Sequence, residues 1–406
     1  MERNWAGNLT YRATRLETPT SIDELRQLVA ETPRIRALGS RHSFSDVADT
    51  PAVLVSLAEL PGTVTVDGDR VTVPAATSYG DLAATLHTHG RALPNLASLP
   101  HISVAGGVAT GTHGSGDRNG CLATSVAALD VVGADGRLTR ISRDDPEFAG
   151  SVVALGALGV VVSVVLDTVP AFDLRQTVYP RVPWRAVLAG FDELMAAGHS
   201  VSLFTDWAGE NLRQIWVKST GEPPADLFGV APATTALHMI PGESTDAVTA
   251  QLGVPGPWLD RLPHFRLDHK PSSGDELQSE YLLPRDRAPE ALRRLRALAG
   301  RIAPVLHVTE IRSVAADDLW LSGAHGRETI AVHFTWRNLP AQVAALLPAV
   351  EAALLTLDAR PHWGKVFATG DLAGRYPRWS EFRALRRDRD PDGRFTNPFL
   401  TRLGLV

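Results

Sequence analysis

Two stretches of the sequence each place two polar side chains on one face of a predicted strand. In VTEIRS, Glu310 and Arg312 are two residues apart, and in TIAVHFTW the same spacing separates His333 from Thr335. Because side chains alternate between the faces of a strand, each pair points in one direction. The opposite face of TIAVHFTW is apolar and consists of Ile330, Val332, Phe334 and Trp336. A carboxylate, a guanidinium, an imidazole and a hydroxyl are groups that can bind a polar ligand and exchange protons with it. The same alternation is typical of a half-solvated sheet, and His333 also fits a buried histidine with a hydrogen-bond partner.

Lysine is a rare choice in this chain. Among the 40 lysine and arginine residues, only Lys218, Lys270 and Lys365 are lysines. Lys365 lies in the segment HWGK, beside an aromatic residue and a glycine. Since a surface cation here is usually arginine, Lys365 is a candidate for chemistry, and a compact amine whose pKa shifts readily is useful beside a reacting hydroxyl.

A histidine stands in a turn near the N-terminus, and a glycine-rich segment follows it. In ALGSRHSFSD, Gly39 ends the predicted strand RIRAL and His42 occupies the turn, as in many polar surface loops. Residues 95–120 read NLASLPHISVAGGVATGTHGSGDRNG. Backbone N–H groups freed by glycine form anion-binding concavities, although neither the dinucleotide fingerprint nor a Walker A loop is present. The segment therefore predicts a phosphate site or, alternatively, a glycine-rich surface loop.

The hydrophobic pattern predicts two α+β parts. A capping box starts a helix over 21–31, a second helix spans 78–90, and Asp-Gly turns form hairpins over 63–75 and 127–142. The character changes near residue 172. Beyond it, strands alternate with helices, including single helices over 184–198 and 288–300, around loops over 219–275. The tail after residue 375 is a charged helix and an apolar anchor.

Composition restricts the class of protein. A chain of 406 residues with 44% hydrophobic and 21% charged residues is expected to form two or three soluble domains. The net charge of −5 argues against nucleic acid as a partner, and one cysteine excludes an internal disulfide. We see no signal peptide and no apolar run that would span a bilayer. We therefore expect a cytoplasmic protein without a membrane partner. We also expect no metal site and, although composition does not determine the oligomeric state, a monomer.

The motifs GSRHSF, SLPHISVAG, EIR, HFTW and RPHWGK together resemble the vanillyl-alcohol-oxidase superfamily of FAD-dependent oxidases. Within it, the chain is similar to the alditol (xylitol) oxidases and the related sugar-lactone oxidases, over nearly its whole length. The resemblance implies an α+β fold in which a two-part FAD-binding domain is joined to a substrate (cap) domain with an antiparallel sheet. The implied boundaries are 1–171 for the FAD-binding domain, 172–375 for the substrate-binding domain, and 376–406 for a C-terminal segment that returns to the FAD domain.

The resemblance implies that FAD is covalently bound through His42. Arg41 departs from the family pattern, in which a smaller residue, often glycine, precedes the linking histidine. Ala97 and Ser98 match a pair that lies against the isoalloxazine. The other implied FAD contacts are Ala37, Leu38, Gly39, Ser40, Arg41, Ser43, Ser103, Gly106, Thr110, Gly111, Thr112, His113 and Val161.

The resemblance also implies a reaction, in which a polyol such as xylitol or sorbitol passes a hydride from C1 to flavin N5 and O2 is reduced to H2O2. Lys365 and His333 would help to remove the hydroxyl proton, with the choice of base left open, and Arg312 would stabilise the alkoxide-like transition state. The implied catalytic residues are Lys365, His333, Arg312 and Glu310. The implied substrate-binding residues are Ser98, Glu310, Arg312, Thr335 and Lys365.

Three other functions remain open at this stage. An aldonolactone oxidase or dehydrogenase of the same superfamily shares the HWxK motif, which therefore does not discriminate between the two activities. A non-catalytic flavin- or sugar-binding protein would lack H2O2 production, and a non-flavin α/β protein with a phosphate loop would be colourless.

Overall fold

The computed structural model describes residues 2–269 and 275–406, so Lys270 lies outside the described residues. The first three strands form a parallel sheet in the order β1-β3-β2. Its elements are β1 (Arg15–Glu17), α1 (Ile22–Glu31), β2 (Ile35–Leu38) and β3 (Val53–Ser56). The predicted N-cap is confirmed, because Ser21 Oγ accepts a hydrogen bond from Glu24 N at 3.2 Å, but the Glu24 carboxylate accepts from Thr20 N at 2.7 Å instead of completing a capping box with Ser21 N. This sheet positions the end of β2, from which the Gly39 turn leads to His42.

A five-stranded antiparallel sheet follows, in the order β4-β5-β9-β7-β8. Both predicted hairpins are confirmed, as β4 pairs with β5 and β7 with β8 around their Asp-Gly turns. β9 lies at the centre, where its valine-rich sequence is largely buried. The elements of this part are β4 (Thr65–Asp67), β5 (Arg70–Pro74), α2 (Tyr79–Thr88), β6 (Arg91–Ala92), α3 (Val104–Ala109), β7 (Val126–Val132), β8 (Leu138–Ser142), α4 (Phe148–Val152), β9 (Val160–Asp167) and β10 (Val169–Pro170).

The glycine-rich segment is partly helical rather than a continuous loop. Helix α3 lies inside it and carries Gly106 and Gly107. A Cβ on Gly107 would stand 2.9 Å from the ring of Tyr79, and a Cβ on Gly106 would stand 2.8 Å from Ser103 Oγ. Glycine therefore allows this short helix to pack closely against its neighbours, which offsets its poor helix propensity.

The remaining strands form one eight-stranded sheet in the order β14-β11-β13-β12-β16-β17-β15-β18. Every pairing in it is antiparallel. The strands are β11 (Asp173–Pro180), β12 (Ser200–Thr205), β13 (Gln214–Ser219), β14 (Pro255–Pro257), β15 (Glu276–Pro284), β16 (Leu306–Val314), β17 (Thr329–Arg337) and β18 (Arg360–Pro361). The predicted α+β class is confirmed by this combination of helices and antiparallel strands.

Helices cover one face of the large sheet. The predicted apolar face of β17, made of Ile330, Val332, Phe334 and Trp336, is fully buried against them. The covering helices are α5 (Trp184–Ala189), α6 (Phe191–Met195), α7 (Ala288–Ala297), α8 (Ala299–Ile302) and α9 (Pro340–Leu355). The single helices predicted over 184–198 and 288–300 are each broken in two, at Gly190 and Leu298. Because this face is occupied, the opposite face of the sheet is available for a site.

The C-terminal helices α10 (Trp379–Arg389) and α11 (Pro398–Arg402) pack on the first part of the chain. Asn397 caps α11 and donates to Val47 O at 3.0 Å and to Asp49 O at 2.8 Å. The buried Arg36 donates to the carbonyl oxygen of Phe395 at 2.8 Å. The domain boundaries at residues 171 and 375 stay a prediction.

Candidate active site

A cavity of about 470 Å³ lies between the polar face of the large sheet and the segments that surround β2 and α3. The cavity size is ordinary for a small-molecule or cofactor site. Of the site residues predicted from the sequence, all but Gly111 line it. Gly111 has a φ of +66° and lies behind the wall, where an added Cβ would contact Val153. The structure thus brings the two groups of predicted residues together around one space.

The turn after β2 is tied to the glycine-rich segment. Ser103 N donates to Ser40 Oγ at 3.0 Å, and Ser40 N donates to Ser103 Oγ at 3.4 Å. A Cβ on Gly39 would stand 2.7 Å from Ser103 Oγ. Gly39 therefore allows the turn to approach Ser103 closely, which brings the His42 turn against the start of α3.

Arg41 has a glycine-like backbone. Its φ is +64°, in the left-handed region that glycine adopts without strain. Its side chain pairs with Glu2, and its carbonyl oxygen accepts from Trp5 N at 2.9 Å. Arg41 therefore keeps the turn conformation expected of the smaller residue, and these contacts hold it there.

His42 is a neutral imidazole with a free nitrogen. Burial, together with His101 and Lys365, lowers its pKa to about 4. Its ring stacks on Trp5, with the ring centroids 5.3 Å apart, and its Nδ1 is buried without a hydrogen-bond partner. A buried, unpartnered ring nitrogen on a cavity wall is costly unless a ligand occupies the cavity. This orphaned nitrogen and the cavity beside it fit a cofactor such as FAD.

The His42 turn is docked on the turn that carries Lys365. Phe44 N donates to Gly364 O at 2.7 Å, and Ser45 Oγ donates to Trp363 O at 2.7 Å. The Lys365 ammonium lies 5.0 Å from the centroid of the Phe44 ring. Lys365 is thereby held at the same end of the cavity as His42, although more than 300 residues separate them in the sequence.

The polar face of the large sheet carries one continuous row of side chains. Phe204, Glu310, His333 and Glu280 lie directly opposite one another on four neighbouring strands, in that order. The polar residues that alternate along β16 and β17 therefore lie on one face of the sheet, as predicted. This face is buried and lines the cavity, so the alternative of a solvated outer face is wrong.

The side chain of Gln278 contacts both basic groups, Lys365 and His333. Lys365 Nζ donates to its side-chain oxygen, and His333 Nε2 lies 3.0 Å from the same oxygen. Burial lowers the pKa of Lys365 to about 8, although Glu280 raises it in part. Burial also lowers the pKa of His333 to about 3, so this histidine is neutral near pH 7. An amine with a pKa near neutrality is thus held next to a neutral imidazole.

Arg312 lies between two buried carboxylates. Its Nη2 donates to Glu280 Oε1 at 2.5 Å, and its Nε lies 3.7 Å from Glu310 Oε2. Its Nη1 donates to Ser98 Oγ at 3.4 Å. Burial raises the pKa of both carboxylic acids, but their cationic and imidazole neighbours lower it further, and the net pKa of each lies below its ordinary value. The site therefore presents two carboxylates and two cations to a ligand.

Sequence reasoning missed several cavity residues. Gln278 and Glu280 show the same two-residue spacing in QSEYLLP, so the alternation rule applied to this third strand would have found them. His264 and His362 also line the cavity, but they lie in irregular segments where no periodicity marks them. Over residues 2–269 and 275–406, no group of three or more histidine, cysteine or acidic residues is arranged to hold a metal ion.

The family models agree with the two parts of the site. A model described as FAD binding domain matches residues 14–142, and one described as D-arabinono-1,4-lactone oxidase matches residues 275–403. The first contains the His42 turn and the glycine-rich segment, and the second contains Gln278 through Lys365. FAD is therefore the cofactor to which this fold and cavity correspond.

Curated relatives match over the whole chain. An alditol oxidase from Streptomyces sp. is 48% identical over 405 residues, which cover 98% of this chain and 97% of that protein. An L-gulono-1,4-lactone dehydrogenase from Mycobacterium tuberculosis is 30% identical over 432 residues, with 98% of each chain covered. An L-gulonolactone oxidase from Bos taurus is 27% identical over 434 residues, which cover 99% of this chain and 97% of that protein.

Solved structures share the fold at low identity. A solvent-stable cholesterol oxidase superposes with a TM-score of 0.78 at 17% identity, over 99% of this chain and 97% of its own. The cholesterol oxidase from B. sterolicum gives a TM-score of 0.76 at 16% identity, over 99% and 96%. These similarities confirm the predicted fold of the vanillyl-alcohol-oxidase type.

Within the described part of the chain, no helix has the length and apolar character needed to cross a bilayer.

Proposed function

The chain belongs to the family of FAD-dependent alditol oxidases and related sugar-lactone oxidases, and we propose that it oxidises the terminal C1 hydroxyl of an open-chain polyol such as xylitol or sorbitol. O2 is the proposed electron acceptor and H2O2 the second product. Support comes from the 48% identity to an alditol oxidase over nearly the full length of both chains.

We propose that His42 holds FAD covalently, because its neutral imidazole has a nitrogen available for bonding. Ser103, Gly106, Thr110 and Thr112 line the cavity and would lie against the phosphates. When bound, FAD supplies hydride acceptance and the return of electrons to O2.

Lys365 is the proposed base. Its pKa of about 8 is closer to neutrality than the value of about 3 for His333, and general bases work best when their pKa is near the operating pH. The position of Lys365 carries the proposal, since it lies on the turn docked to the His42 segment and contacts Gln278 beside His333.

The remaining polar groups would bind and orient the polyol. Arg312 would stabilise negative charge that develops on the C1 oxygen. Glu310, Thr335 and Ser98 would position the other hydroxyl groups, and such orientation contributes several kcal/mol to catalysis in general. A polyol carries only hydroxyl groups, each a donor and an acceptor, and a face that mixes carboxylates with cations matches them.

The test is a steady-state assay with xylitol, sorbitol and L-gulono-1,4-lactone, in air with H2O2 detection and without O2 with an artificial acceptor. We expect H2O2 from the polyols and a much lower kcat/KM for the lactone. A higher kcat/KM for the lactone would instead establish the second candidate, an aldonolactone oxidase or dehydrogenase. This candidate is supported by the match of residues 275–403 to the D-arabinono-1,4-lactone oxidase model.

A further inference from the structure

Lys218 is a buried lysine in an arginine-rich chain, and the proposed mechanism does not use it. It lies on β13 and is 1% exposed. Its neighbours across the sheet are Ser200 on β12 and Gln176 on β11, and neither carries a charge. A buried cation needs hydrogen-bond acceptors at each of its protons, and these come from the segment that contains His264.

Three acceptors surround the Lys218 ammonium. Its Nζ lies 2.5 Å from Leu262 O, 3.2 Å from Pro263 O and 3.0 Å from His264 Nδ1. A charged ammonium has three protons to donate and accepts none, so this arrangement suits the charged form. Burial lowers the pKa of Lys218 to about 7, and Glu310 raises it in part.

His264 connects Lys218 to Glu310 through its two ring nitrogens. Because Lys218 donates to Nδ1, the proton of the neutral imidazole must lie on Nε2. Nε2 is 2.7 Å from Glu310 Oε1, and burial lowers the pKa of His264 to about 4, which keeps the ring neutral. Glu310 thus receives an N–H donor on one oxygen, while Arg312 lies near the other.

We propose that Lys218 and His264 are positioning residues that fix Glu310 as a carboxylate in one orientation, so that it accepts hydrogen bonds from the hydroxyl groups of the polyol. The Lys218 ammonium on Nδ1 and the Glu310 carboxylate on Nε2 together hold His264 in the Nε2–H tautomer, and His264 supplies the proton that holds the carboxylate. The role in polyol binding rests on the proposed function, whereas the tautomer of His264 does not.

The first test compares two substitutions of His264 in the FAD-loaded enzyme. His264→Gln keeps an N–H donor for Glu310, and His264→Phe keeps the ring but removes the donor. We expect His264→Phe to raise the KM for xylitol about 10- to 100-fold with a smaller change in kcat, because a hydrogen bond to a charged group is lost. His264→Gln should stay within about threefold of the wild type, since its donor replaces the lost one. Equal impairment by both substitutions, or an unchanged KM in His264→Phe, would overturn the proposal.

His307→Phe is the matched control. His307 is a half-buried histidine on the same strand as Glu310, but it does not line the cavity. Its replacement should leave the KM for xylitol unchanged. A rise in KM equal to that of His264→Phe would show that loss of any histidine near β16 has this effect, and would overturn the positioning role.

The second test needs no turnover. In protein labelled with ¹⁵N-histidine, the imidazole signals of His264, assigned by their loss in His264→Gln, should show the Nε2–H tautomer. In Lys218→Met, the Nδ1 signal should move downfield, because its lone pair no longer accepts a hydrogen bond from the ammonium. An Nδ1–H tautomer in the wild type, or no change in Lys218→Met, would overturn the inference. If the NMR result holds but no polyol is oxidised by the wild type, only the proposed function fails.

Discussion

Lys365 and His333 share one hydrogen-bond acceptor, the side-chain oxygen of Gln278. An amide oxygen only accepts, so His333 must carry its proton on Nε2 and present its lone pair on Nδ1. The two basic groups are therefore fixed relative to each other by a neutral side chain. Their pKa values differ widely, about 8 for Lys365 and about 3 for His333, and this difference allows the base to be identified by experiment.

Lys365→Met should remove the proposed base. We expect kcat for xylitol to fall by about 10²- to 10⁴-fold, the usual contribution of a general base. In the wild type, kcat/KM should rise with pH and level off above about 8, because the amine of Lys365 becomes available as it loses its proton. This inflection should be absent in Lys365→Met. A pH series of kcat/KM between pH 5 and 9.5 measures both effects.

His333→Gln is the control for this assignment. Since the pKa of His333 lies near 3, its titration is outside the measured range. The inflection should therefore persist in His333→Gln, even if the rate falls. Its disappearance in that variant, with retention in Lys365→Met, would make His333 the base.

Gln278→Glu should shift the same inflection to higher pH. A carboxylate in hydrogen-bond contact with Lys365 favours the charged ammonium, and a nearby opposite charge typically moves a pKa by about 1–3 units. We therefore expect kcat/KM at pH 7 to fall and to recover partly at high pH. Thr335→Val, directly across the sheet from Gln278, adds no charge and should leave the midpoint in place. An unmoved midpoint in Gln278→Glu would show that another group is titrating.

Arg312→Met should destabilise the protein as well as inactivate it. Arg312, Glu280 and Glu310 are all buried, and removal of the guanidinium leaves two carboxylates without their shared cation. Loss of one partner from a buried ion pair costs about 3–5 kcal/mol. Urea unfolding of the FAD-loaded protein should show a decrease of this size in the free energy of unfolding.

The double variant Glu280→Gln/Arg312→Met tests whether the loss of stability arises from a buried carboxylate left without its cation. Glu280 Oε1 is the closest carboxylate oxygen to Arg312, at 2.5 Å, so its neutralisation should recover part of the lost stability but none of the activity. If the double variant were less stable than Arg312→Met alone, the loss would not arise from unpaired charge.

The elements of the fold were largely predictable, because their signals are local. The N-cap at Ser21, the Asp-Gly hairpins and the apolar face of β17 depend on residues close together in sequence. The same two-residue periodicity marked Glu310, Arg312, His333 and Thr335. The breaks at Gly190 and Leu298 were not anticipated, since amphipathic periodicity continues across each of them.

The connections within the site were less predictable. The hydrogen bond from Phe44 to Gly364 joins segments 320 residues apart, and no local pattern encodes it. The contact of His264 with Glu310 likewise arises from an irregular segment that crosses the polar face of the sheet. Periodicity identifies which side chains share a face, whereas the loops that close over that face follow from tertiary packing.

His42→Ala should abolish covalent attachment of FAD. In the wild type, we expect yellow fluorescence to remain on the protein band after denaturation, because the unpartnered Nδ1 of a neutral His42 is available for bonding. His42→Ala should bind FAD only reversibly, so that acid precipitation releases all of the flavin into the supernatant. Arg41→Gly is the matched control: it relieves a left-handed backbone that costs a non-glycine residue about 1–2 kcal/mol, and it should keep the covalent flavin. Flavin retained on denatured His42→Ala would place the linkage on another residue, and its loss from Arg41→Gly would give the Arg41 side chain a role in forming the bond.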